Sequence, residues 1–91
     1  MLEAVKRALS LTTSMYDQEL TDLIAAALMD LHIAGITEYA EDDPLVLQAV
    51  KTYCRAHFKS PDNYDQLLAS YESQKGMLQI ATGYTDWGDA E

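Results

Sequence analysis

The chain has 91 residues, 48% of them hydrophobic, and carries 15 Asp and Glu against 6 Lys and Arg for a formal charge of −9. That length allows one domain at most, marginal alone or completed by partners, and the hydrophobic share excludes a disordered chain. The acidic balance argues against a general nucleic-acid binder, whose affinity comes from neutralising phosphates, and suits a wall that must not stick to a polyanion.

Residues 2–9, LEAVKRAL, read as a short helix with Leu2, Val5 and Leu9 on one side, too short to persist undocked. Met1 opens this amphipathic segment without the long apolar run of a signal peptide, so no leader is expected. Ser10 to Ser14 form a polar joint whose hydroxyls can cap. A second helix is expected from about Asp17 to Ala34, with Leu20, Leu23, Ile24, Ala27, Leu28 and Leu31 as its core stripe. Its opposite side holds Ala25, Ala26, Met29 and Ile33, with little polarity beyond Asp22 and Asp30. Those two acids exclude a membrane span. A helix apolar on two sides needs cover on both, so Ala25, Ala26, Met29 and Ile33 are candidate subunit-interface residues. Gly35 supplies a left-handed stop, letting Ile36 fold back on Leu31.

The acidic loop Thr37 to Asp42 leads into the segment Asp43 to Lys59, DPLVLQAVKTYCRAHFK. Asp43 can cap and Pro44 suits the first helical position. Val46, Val50, Tyr53, Cys54, His57 and Phe58 form one apolar seam at helical spacing, while Lys51, Arg55 and Lys59 form a basic ridge on another face. Ser60-Pro61 ends this helix and is expected to start the next, which places Tyr64, Leu67, Leu68, Tyr71, Lys75 and Leu78 along one side. Gly76 weakens that helix and marks a candidate bend. The expected fold is all-α, a bundle of about four helices over residues 1–80, followed by an acidic aromatic tail at 81–91.

Cys54 and His57, one turn apart, offer half of a metal site, with His32 the only other strong candidate ligand; a zinc site needs more. The preferred reading puts a buried Cys and a half-buried His on the seam, with no metal and no cofactor. Nucleophilic catalysis would require an exposed thiol of lowered pKa and a positioned base, and no phosphate loop, HExxH or GxSxG is present, so no enzyme is expected. A single cysteine forms no internal disulfide, which suits a reducing cytoplasm. The basic ridge has three readings: a solvated face, a dock for the acidic surface of another copy, or a DNA-phosphate contact. Against the last, the Gly35–Asp42 gap is longer than a helix-turn-helix turn. In the tail, Tyr84 and Trp87 are either a frayed end or anchors that order on a partner, and the anchor reading is preferred.

The blocks MLEAVKRAL, DQELTDLIAAALMDLHIAGI, DDPLVLQAVKTYCRAHF and NYDQLLASYESQKGML, in that order across residues 1 to about 80, resemble the small phage head–tail connector proteins. These are head-completion adaptors of long-tailed phages and related prophages. The tail after Ile80 matches no block of that family. The resemblance implies an all-α structural protein of the virion, without cofactor or chemistry, that assembles in the host cytoplasm. It implies a homo-oligomeric ring of around a dozen subunits under the portal protein, at the head–tail junction. Such a ring extends the channel through which DNA passes without specific binding, and supports the next adaptor or tail-completion protein. In that setting Lys51, Arg55 and Lys59 become candidates for pairing with an adjacent subunit, with Asp22, Asp30, Asp65 and Glu72 as possible acceptors. The alternative is a small helical DNA-binding regulator using the Lys51, Arg55 and Lys59 face.

Overall fold

In the computed structural model, which describes residues 1–37, 39, 43–58 and 62–80, the chain forms four helices. They are α1 (Leu2–Ala8), α2 (Asp17–Ile33), α3 (Pro44–His57) and α4 (Tyr64–Ile80), and the fold is all-α. Each begins or ends where local chemistry dictates. Asp43 caps α3 as expected: its Oδ1 accepts from the N–H groups of Leu45 at 2.9 Å and Val46 at 3.2 Å, while Pro44 fills the first turn. At the end of α2, Gly35 adopts φ 93°; its N–H donates to His32 O, and the Ile36 N–H donates to Leu31 O, both at 2.9 Å. That is the expected Schellman stop, and Leu31 and Ile36 are both fully buried beside each other's turn.

Two boundaries differ from expectation. No hydroxyl of the Ser10–Ser14 joint caps α2; its N-cap is Tyr16, and Thr13 Oγ1 accepts instead from the Met15 N–H. The start of α2 is held by Asp17, whose carboxylate lies 2.9 Å from Lys6 Nζ and ties α1 to α2. The last helix starts at Tyr64, not at Pro61. Asn63, a residue type favoured at helix starts, offers the carbonyl that accepts the first bond, from the Leu67 N–H. Lys59, Ser60 and Pro61 lie outside the described residues.

The core gathers Val5 of α1, Leu20, Ile24, Ala27 and Leu31 of α2, Val46, Ala49, Val50 and Cys54 of α3, and Tyr71 and Leu78 of α4. Helix α3 is central, packing against all three others. This is why it buries Ala49, Thr52 and Ala56 in addition to the expected seam. Thr52 is accommodated because its hydroxyl donates to Gln48 O, one turn back. His57 is a correction: it is exposed, its ring lying on Tyr53 at 4.3 Å and edge-on to Tyr64 at 5.7 Å. It lies at the edge of the seam beside the half-buried Tyr53, whereas its chain neighbour Phe58 is buried in the core.

Helix α4 runs unbroken through Gly76, and a methyl added there would meet nothing within 4 Å. Gly76→Ala is therefore expected to raise stability by about 1 kcal/mol through helix propensity alone. A higher denaturant midpoint with unchanged slope would show it; an unchanged midpoint would mean the helix is frayed at that point in solution.

Candidate assembly surfaces

The first surface follows from the periodicity of α2. At 100° per residue, the buried Leu20, Ile24, Ala27 and Leu31 define one side, and Asp22, Ala25, Ala26, Met29 and Ile33 fall on the other. In the structure Ala25 and Ala26 are exposed, Met29 is 58% exposed and Ile33 76% exposed. Glu19 and Asp22 occupy the N-terminal end of this outer face, so it grades from acidic to apolar along the helix.

The second surface belongs to α3 and α4. Leu45, Gln48, Lys51 and Arg55 follow one another on the side of α3 turned away from the core. Lys51 is half-buried and Arg55 exposed, and among the described residues neither is ion-paired. The third member of the expected ridge, Lys59, lies outside the described residues, as do the tail residues Tyr84 and Trp87. Beside the ridge, Leu45 and Gln48 of α3 and Gln74, Met77 and Leu78 of α4 line a groove of about 280 Å³. Leu45 is 55% and Met77 65% exposed, and the buried Gln74 Oε1 has no hydrogen-bond partner among the described residues.

These surfaces sit on different flanks of α4. The Lys75 and Gln79 flank faces α2: Lys75 Nζ lies 3.0 Å from Asp30 Oδ2, and Gln79 Nε2 donates to Ala34 O at 3.1 Å. The Gln74 and Met77 flank faces the groove instead. Spacing predicted Tyr71 and Lys75 on one side of α4 but not their partner, Asp30, which interrupts the apolar length of α2. An acid in such a place was the signal that a cation would come to it. The Tyr71 hydroxyl donates to Asp30 Oδ2 at 2.6 Å, and Lys75 also reaches Glu72 at 3.2 Å. Of the four acids considered as acceptors for the basic ridge, Asp30 and Glu72 are thus engaged within their own chain. Among the described residues Asp22 accepts only from the neutral Gln18 side chain, and Asp65 is exposed.

The electrostatics of this cluster follow its geometry. Burial pushes the Asp30 carboxyl up, but the hydrogen bonds from Tyr71 and Lys75 and the positive charges of Lys75 and His57 outweigh it, leaving it below its ordinary 3.8. For Lys75, burial pulls downward and is outweighed by the bonds to Asp30 and Glu72, so its ammonium titrates above 10.5. Tyr71 is raised, by burial first and by the Asp30 carboxylate second. A depressed carboxyl stabilises the fold above its unfolded value and loses that contribution as pH falls through its folded value. The stability gap between wild type and Asp30→Asn is therefore expected to be full at neutral pH and to close under acid. The raised Lys75 closes its own contribution at the alkaline end, as pH climbs through its folded value. Denaturant midpoints across pH measure both limbs; a gap independent of pH would deny the ion pair any role.

The other chemistry-bearing residues do not converge. Cys54 is fully buried, and burial pushes its thiol up to about 12, a protonated and poorly nucleophilic state at neutral pH. His57 points to the tyrosines, His32 is exposed on α2, and among the described residues no three His, Cys, Asp or Glu side chains gather as a metal site. No helix among them is long and apolar enough to cross a membrane.

Comparison with curated proteins and with solved structures yields no match. The model of one family, described as phage connector protein, matches residues 1–85, which spans all four helices and both surfaces. The chain belongs to the phage connector protein family and has a structural role in a phage.

Proposed function

We propose that the chain is a head–tail connector that forms a homo-oligomeric ring beneath the portal, extends the DNA channel and offers a platform to the next adaptor or tail-completion protein. The observation carrying this reading is the outer face of α2, where Ala25, Ala26, Met29 and Ile33 remain exposed on a helix whose other side already fills the core. Isolated exposed apolar residues are ordinary, but a continuous helical face of them needs a neighbour. Repeating one unlike contact around an axis closes a ring. The formal charge of −9 suits a channel that DNA must traverse without adhering. Residues 1–80 make the ring-building domain, and residues 81–91, with Tyr84 and Trp87, are offered to a partner. The ring is built in the host cytoplasm and resides at the head–tail junction of the virion. It performs no catalysis and needs no cofactor.

Size-exclusion chromatography with light scattering, with and without the portal protein, tests this. The expected result is a discrete multi-subunit species, alone or on the portal. A chain that stays monomeric and never joins the portal overturns the reading. Duplex-DNA binding with a steep salt slope, lost on Lys51→Ala with Arg55→Ala, would instead favour a DNA-binding regulator.

A further inference from the structure

We infer that the outer face of α2 in one copy seats in the α3–α4 groove of the next, with Met29 and Ile33 against Leu45, Met77 and Leu78, and Asp22 against Arg55. This rests on the ring reading and specifies which surfaces meet. The occupant is a second copy because the two surfaces of this chain are complementary in the order of their charged and apolar residues. Along α2 an acidic end, Glu19 and Asp22, gives way to an apolar end, Met29 and Ile33. Along the second surface the apolar groove at Leu45, Gln48 and Met77 gives way to the basic Lys51 and Arg55.

The spacings match as well. Asp22 and Met29 are seven residues apart, and so are Gln48 and Arg55, about 10 Å at the helical rise. With the incoming α2 antiparallel to α3, Met29 enters the groove beside Gln48 while Asp22 lies level with Arg55. Of the acids in the chain's own cluster, Asp30 and Glu72 are held by Lys75, whereas Asp22 has only a neutral glutamine and Lys51 and Arg55 have no carboxylate among the described residues.

The contact is heterologous, because α2 and the groove flank α4 on opposite sides. Each copy then offers its α2 to one neighbour and its groove to the other, as a closed ring requires and a two-fold dimer does not.

Cysteine cross-linking of the portal-bound assembly tests the pairing. Met29 and Met77 are exposed enough for Met29→Cys and Met77→Cys to fold, and the native Cys54 is buried away from the reagent. Under mild oxidation, each variant alone is expected to run as a monomer on a denaturing gel, a mixture of the two as a cross-linked dimer, and the double variant as a ladder. Self-linking of Met29→Cys alone would reveal a two-fold contact and overturn the inference. An intact assembly with no link in the mixture would overturn it while leaving the ring reading standing; a wild-type chain that never assembles removes both. As a second measure, Arg55→Glu is expected to weaken assembly about tenfold or more, with Asp22→Arg in the same chain restoring much of the loss. Single variants that assemble like wild type, or a loss that Asp22→Arg leaves unrestored, would overturn the charge register.

Discussion

Tyr71→Ala is expected to lower the unfolding free energy by about 3–5 kcal/mol, enough to threaten the fold of so small a domain. Tyr71 is the largest of the fully buried side chains, 1% exposed, and it joins three helices. Its ring packs edge-on to Tyr53 of α3 at 5.2 Å, its hydroxyl reaches Asp30 of α2 at 2.6 Å, and Lys75 Nζ lies 5.3 Å from its ring centre. Truncation removes the largest buried side chain from the core, at the most extensive helix–helix interface of the chain, and leaves Asp30 without its shortest bond. Tyr71→Phe separates these contributions. It keeps the ring and loses only the hydroxyl, and because Asp30 is 38% exposed, water replaces much of that bond, so the expected loss is about 1 kcal/mol. Thermal or denaturant unfolding measures both. Equal losses from the two variants would mean that the hydroxyl, not the ring, holds α2 to α4.

Ala26→Glu is expected to abolish assembly while leaving the helix content and unfolding midpoint near wild type. Ala26 is exposed in the single chain, and Glu is nearly as good a helix former as Ala. Its stability cost is confined to repulsion from Asp22 and Asp30, four residues away on either side, worth a few tenths of a kcal/mol. Within a subunit contact the same carboxylate is buried without a partner, at a cost of several kcal/mol. Even about 3 kcal/mol at one contact is more than a hundredfold in affinity, and a ring repeats it at every interface. Circular dichroism and light scattering together distinguish the outcomes. A variant that unfolds would place this face in the core, and one that assembles normally would move the interface elsewhere on the chain.

What depends on neighbours a few residues apart was legible in the amino-acid sequence. The 3.6-residue periodicity placed the buried and bare sides of α2, Asp43 with Pro44 started α3, and Gly35 ended α2 with Ile36 folded onto Leu31. The four helices and the family resemblance were legible for the same reason, since blocks of local pattern in a set order carry both. Where a local signal was ambiguous, as with the candidate caps at Ser10 to Ser14 or the restart at Pro61, the observed boundary fell elsewhere.

Which carboxylate answers which cation was set by the packing of the helices. Lys75 and Tyr71 meet Asp30 across 45 and 41 residues of chain, a pairing that no spacing encodes. That choice withdraws Asp30 and Glu72 from the acceptors open to Lys51 and Arg55, and it orients α4 so that Gln74 and Met77 form a groove with α3 on the far side from α2. Likewise, spacing put His57 on the seam, but the way the helices cross left it at the exposed edge beside Tyr53 and Tyr64, while Phe58 next to it is buried. Helical period fixes which residues share a face. Which face meets core, neighbour or water is set by how the helices cross, and that depends on the packing of the whole chain at once.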